Sequence, residues 1–179
     1  MKKQIISVFA VILAAALVLA GLTFALKGAA DANAQAEQLR VMQALVPGGE
    51  TFTVEEYTGE DANIRTVYKT ETGFVVETAT HGYAGEIIML VGVNNKGTVT
   101  GLVVKDMSET WGLGGEGLTD WQFLGQFLYG DGDVQVGTDV DALTGATVTS
   151  KAIARSVKSA VAVVTGADAD SGATSWGEY

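Results

Sequence analysis

The sequence predicts an α+β fold in which one N-terminal transmembrane helix is followed by an antiparallel sheet with helices packed on it. Three observations predict it. The run Ile5 to Leu26 carries no charge and only Ser7 and Thr23 as hydroxyl residues, long enough to cross a bilayer as a helix. Five alternating or β-branched runs follow between Thr51 and Lys105, which is the strand pattern. Finally, the polar stretch Asp141 to Ser150, DALTGATVTS, leads directly into apolar residues at helical spacing.

In order along the chain, Lys2 and Lys3 precede the apolar run and should remain in the cytoplasm, which sends the rest of the chain to the outer side of the membrane; Lys27 weakens that asymmetry. The rival for this segment is a cleaved signal peptide with Ala32-Asn33-Ala34 as its small-residue site. The uncharged run exceeds the usual signal core of about 7 to 15 residues, so a retained single-pass anchor over 1–28 is the expectation. A linker helix over 29–49 comes next. Its helical part, Ala29 to Val46, has a partial apolar face of Ala34, Leu39, Met42 and Leu45 or Val46, and Pro47-Gly48-Gly49 ends it.

One globular domain is expected over 50–166. Its strands are Thr51–Tyr57, Ile64–Thr70, Gly73–Thr80, Glu86–Val93 and Thr98–Lys105. Asn94-Asn95-Lys96-Gly97 turns the last two into a hairpin, since Asn and Gly accept positive φ. Ser108 to Gly117 is a glycine-rich loop with one tryptophan. It lacks the Lys-Ser/Thr ending of a P-loop and the strand-loop-helix setting of a dinucleotide fingerprint. Asp120 to Leu128 reads as a short helix with Trp121, Phe123, Leu124, Phe127 and Leu128 in the core, and Tyr129 to Gly137 as a loop and short strand. A last helix starts near Val148 and ends at about Gly166, burying Val148, Ile153, Val157, Val161 and Val164, with Lys151 and Lys158 on its wet face. The acidic tail 167–179 is expected to be loosely ordered.

Composition excludes several chemistries. The 21 acidic and 11 basic residues among 179 give a net charge of -10, which disfavours nucleic acid and anionic lipid as surface partners; solubility is the plain reading of that acidity. With no cysteine there is no disulfide, thiolate metal site or cysteine-ligated iron–sulfur cluster, and with His81 as the one histidine a multi-histidine metal or haem site is not expected. No metal site and no catalytic residue is assigned.

The chemistry is expected where the loop meets the last helix. Thr147 sits at that helix's N-terminus, where free N–H groups and the positive end of the macrodipole stabilise a phosphate without a cationic side chain. Gly145 and Ala146 leave room for a close backbone approach. Taken alone, Thr-Gly-Ala-Thr before a helix also reads as a plain N-cap with a tight turn.

The anchor, the loop Glu109-Thr110-Trp111-Gly112-Leu113-Gly114 and the motif Asp141-Ala142-Leu143-Thr144-Gly145-Ala146-Thr147 before a helix together resemble the FMN-binding domain family of the Rnf and Na+-translocating quinone reductase complexes. The resemblance covers roughly His81 to Thr165 and begins at His81-Gly82-Tyr83-Ala84-Gly85-Glu86-Ile87. It implies that Thr147 carries FMN covalently through a phosphoester made by a separate flavin transferase. Asp141, Leu143, Thr144, Gly145 and Ala146 would complete the motif, and Glu109, Thr110, Trp111, Gly112, Leu113 and Gly114 would lie near the flavin ring.

Two departures from the family pattern stand out. Trp111 replaces its usual proline, so either the loop takes another path, or the indole stacks on the isoalloxazine, or it is an ordinary core or surface tryptophan. The tail repeats the motif as Asp168 to Thr174, but too little chain follows Thr174 to form a helix, which leaves Thr147 as the preferred site and Thr174 as a second or decoy site. Glu109 either hydrogen-bonds the flavin or caps backbone N–H groups. For His81 the resemblance implies no role.

The function implied is that of a membrane-anchored electron-transfer subunit of an Rnf-type ion-translocating ferredoxin:NAD+ oxidoreductase, most like the G component of such complexes and working beside other membrane subunits. FMN would supply the redox chemistry, and the chain would supply position, tether and tuning. The alternatives are a protein like the C component of the Na+-translocating quinone reductase, a stand-alone extracytoplasmic flavoprotein carrier, and a non-redox anchored domain in which TGAT is only a helix cap.

Overall fold

The computed structural model describes residues 21, 27, 28, 30–108, 115 and 120–166. The expected anchor from Ile5 to Leu26, apart from Gly21, lies outside them, as do the loop Glu109 to Gly114 and the tail with Thr174. Among the described residues no helix is long and apolar enough to cross a membrane. The chain divides into two compact units, Met1–Arg40 and Val41–Tyr179. In the first, residues 30–40 are helical and largely exposed, with Glu37 and Arg40 paired at 3.8 Å.

The second unit begins with a helical turn over 41–45, α1. The strands are β1 (Thr53–Glu55), β2 (Ile64–Lys69), β3 (Gly73–His81), β4 (Glu86–Asn94) and β5 (Val99–Met107), and the helices are α2 (Trp121–Gly125) and α3 (Thr147–Thr165). The five strands form one antiparallel meander in chain order, so the expected α+β architecture of this unit is observed. The turn after β4 is the expected one: Asn94 Oδ1 accepts from the N–H of Lys96 and Thr98, and Gly97 has φ of +83°.

Strand alternation explains why the central strands read as almost unbroken apolar runs. Val76, Ile87, Met89, Val91 and Val93 belong to a core cluster with Ile153 and Val157 of α3, whereas Val75 and Leu90 belong to a second cluster with Met42, Leu45 and Val46. Both faces are therefore covered at the centre of the sheet. Gly92 and Gly101 pair across β4 and β5 directly beneath Leu45, and a Cβ on Gly101 would stand 2.9 Å from Leu45 Cα. Without side chains there, α1 rests on the backbone itself. Thr100 Oγ1 donates to the Leu45 carbonyl at 2.6 Å and holds it in place.

On the other face, α3 is fixed by polar contacts as well as by apolar ones. Thr80 Oγ1 donates to the Ala152 carbonyl at 3.1 Å and lies 2.9 Å from Ser156 Oγ, while Asn63 Nδ2 reaches Ser159 Oγ at 3.4 Å. These contacts widen the buried arc beyond one apolar stripe. Lys158, expected on a wet face, is in fact buried, because neighbours close around the helix on more than one side. Gly166 ends α3 with φ of +70°, as a C-terminal glycine should.

The region between sheet and α3 departs further from expectation. The helix expected over Asp120 to Leu128 is regular only over Trp121–Gly125 and continues as turns. Asp120 caps it by accepting from Gln122 N–H at 2.8 Å. Phe123 and Phe127 enter the core edge to face at 5.5 Å, and Leu124 and Leu128 are half-buried against it. Trp121 is 76% exposed rather than core, since as the first helical residue it stands on the side away from Phe123. In place of the expected short strand in 129–137 there is an isolated bridge between Val136 and Val140.

Candidate functional site

The stretch from Asp141 to Ser150 forms one continuous unit that joins a loop to the start of α3. Its approach is held at the end of α2, where Asp141 N–H donates to Gln126 Oε1 at 2.9 Å. Leu143 is half-buried and packed on the main core, and Ala146 is 5% exposed. Between these two anchors Thr144 and Gly145 bulge into solvent, closed by a turn in which Ala146 N–H donates to the Leu143 carbonyl at 2.9 Å. Gly145 has φ of +75°, a conformation that costs an L side chain roughly 1–2 kcal/mol.

Thr147 is the first residue of α3 and is exposed. The N-cap is Ala146, which makes no side-chain cap hydrogen bond. Neither threonine of TGAT is thus the N-cap of this helix, and Thr147, exposed, stands at the positive end of a 19-residue helix. Between Lys105 and Lys151 the sequence contains no lysine, arginine or histidine. An anion here would rely on backbone N–H groups and the helix dipole, with Lys151, one turn on from Thr147, as the nearest cation in sequence.

Asp141, Leu143, Thr144, Gly145, Ala146 and Thr147 therefore come together as expected from their adjacency. Glu109, Thr110, Trp111, Gly112, Leu113 and Gly114 lie outside the described residues. The chain enters the loop at Ser108, whose N–H donates to the Glu86 carbonyl at 3.0 Å and which packs on Gly85, where a Cβ would stand 2.6 Å from Ser108 Cβ. His81 ends β3 opposite Glu86 and is exposed. Two residues of the site had no assigned role in the sequence reading: Gln126, which carries no local signal, and Ser150, whose position four residues after Ala146 is the spacing for a bond back to a helix carbonyl.

The fit to a phosphate-bearing flavin is favourable at this point. An exposed hydroxyl on the first residue of a helix whose N-cap makes no side-chain hydrogen bond, behind a loop with a positive-φ glycine, would give a phosphoester both its oxygen and a stabilising dipole.

Comparison with known proteins places the same stretch in context. The FMN-binding domain family matches residues 82–162, from the β3–β4 turn into the last part of α3. The G component of the Na+-translocating ferredoxin:NAD+ oxidoreductase complex of Acetobacterium woodii is 36% identical over 100 residues, covering 51% of this chain and 48% of that protein. The G component of the ion-translocating oxidoreductase complex of Cronobacter sakazakii is 41% identical over 93 residues, covering 46% of this chain and 45% of its own length, and that of Escherichia coli strain K12 gives the same figures. The chain spans about half the length of the curated relatives it matches. Residues 82–162 of the chain are thus similar to the FMN-binding domain family that its sequence resembles.

Proposed function

We propose that the chain is a membrane-anchored electron-transfer subunit of an Rnf-type ion-translocating ferredoxin:NAD+ oxidoreductase, carrying FMN covalently on Thr147. The observation that carries this reading is the exposed Thr147 at the head of α3, with Ala146 rather than a hydroxyl side chain at the N-cap. Thr147 Oγ would form the phosphoester, and the N–H groups of the first turn would face its phosphate. Leu143 and Ala146, held against the core, keep the attachment loop in one place. FMN when bound supplies reversible one- and two-electron chemistry. By the family resemblance, the loop Glu109 to Gly114 flanks the ring.

In this reading Ile5 to Leu26 is the single-pass anchor, the domain is extracytoplasmic, and other membrane subunits supply the electron donor and acceptor. A separate flavin transferase matures the protein. The relatives, each named as the G component of an ion-translocating oxidoreductase complex, support the complex over a stand-alone carrier or a quinone-reductase subunit.

The test is intact mass and in-gel flavin fluorescence on the denatured full chain, made in a host with a flavin transferase, beside Thr147→Ala and Thr174→Ala. Fluorescence that survives denaturation and is lost with Thr147→Ala alone is expected. A colourless wild type in that host, or loss only with Thr174→Ala, would falsify the assignment. Co-purification with further membrane subunits distinguishes a complex subunit from a stand-alone flavoprotein.

A further inference from the structure

We propose that Ser150 is the positioning residue for flavin attachment at Thr147, an inference that rests on the function just proposed. Ser150 is fully buried in the first turn of α3. Its hydroxyl accepts from Leu143 N–H at 3.0 Å and donates to the Ala146 carbonyl at 3.0 Å. One oxygen thereby fastens both ends of the exposed bulge Thr144-Gly145, and the second of those ends is the residue before Thr147. A hydroxyl has one proton to donate and lone pairs to accept with, so both bonds are made at once.

The helix has no need of this arrangement. The Ala146 carbonyl already receives Ser150 N–H at 2.9 Å, and a serine bonding back to the carbonyl four residues earlier weakens a helix slightly if it does anything. The bond that Ser150 adds is the one to Leu143, which lies outside the helix. With Ser150 replaced, the turn Leu143–Ala146 keeps only its own backbone bond, and the Leu143 N–H is left without the Ser150 hydroxyl as its acceptor.

Attachment is a phosphoryl-group transfer with no change in oxidation state. Thr147 Oγ attacks the flavin-side phosphorus of a flavin adenine dinucleotide donor, the pyrophosphate P–O bond breaks, and AMP leaves with the bonding electrons. The threonine proton passes to a base of the transferase. That enzyme must meet residues 144–147 in one shape, and a loop that samples several shapes presents the competent one for only part of the time. Ser150 acts on the rate by holding that shape and touches neither flavin nor phosphate.

The experiment incubates the purified full chain with a flavin transferase and flavin adenine dinucleotide and follows covalent fluorescence with time, below the melting temperature of every variant. Ser150→Ala is expected to incorporate flavin at least tenfold more slowly than wild type. Ser156→Ala serves as control, because it removes another fully buried hydroxyl of the same helix, the one facing Thr80. It is expected to lower Tm as much as Ser150→Ala does while incorporating flavin at the wild-type rate. If Ser150→Ala fails to fold, the isosteric pair Ser150→Thr and Ser150→Val takes its place, since the two differ in the hydroxyl alone; Thr is expected to be the faster by tenfold or more. A wild-type rate in Ser150→Ala, equal rates in the Thr and Val variants, or an equal slowing by Ser156→Ala overturns the positioning role. A wild type that takes up no flavin overturns the Thr147 assignment instead, so the two failures are distinguishable.

Discussion

Gly132 lies so close to Val161 that a β-carbon on it would stand 2.7 Å from Val161 Cβ, nearer than packed side chains come. This contact presses the loop after α2 onto the C-terminal part of α3, and Gly132 also has φ of +82°.

Gly132→Ala therefore meets two obstacles, a backbone conformation that alanine resists and a collision with a core valine. The two together should cost about 2–4 kcal/mol. Urea unfolding of the variant checks this. A midpoint within error of wild type would mean that the loop does not rest on α3 as described.

Much of the fold was legible from sequence because its strands are long and its turns use residues of one conformational purpose. Asn94 to Gly97 and the β-branched runs on either side left little freedom, and all five strands form where their patterns fall. The last helix was legible for the same reason, from Ile153, Val157 and Val161 to its terminal glycine. What was not legible depended on contacts distant in sequence. Lys158 reads as a wet residue until Asn63, Thr80 and Gly132 are found closing round the helix. At the site, the adjacency of Asp141 to Thr147 was guaranteed by the chain. That Ala146 rather than a threonine would be the N-cap, and that Ser150 would clasp Leu143, follow from loop geometry that no periodicity encodes.

Trp121 and Phe123 give a direct test of the corrected α2. Two residues apart, they sit in opposite environments, 76% and 3% exposed. Phe123→Ala opens a cavity beside Phe127 and should cost about 3–5 kcal/mol, whereas Trp121→Ala should stay within about 0.5 kcal/mol. Thermal melts of the two variants decide it, and comparable losses would return Trp121 to the core.

The acid limb of stability should contain a contribution from Glu71. At the turn between β2 and β3, its carboxylate is held below the ordinary range first by its own backbone N–H and then by hydroxyls, with Thr70 at 2.8 Å and Thr51 at 3.0 Å. Each of these donors favours the ionised form. In the unfolded chain they are lost and the group returns to its ordinary value of 4.5. A carboxylate depressed on folding stabilises the fold above that value, and the contribution disappears as pH falls from there through the lower folded pKa. Glu71→Gln has no such titration. On going from about pH 6 to about pH 3, Tm of the wild type should fall further than that of Glu71→Gln, the other carboxylates contributing equally to both. Parallel curves would show that the three donors do not favour the charge.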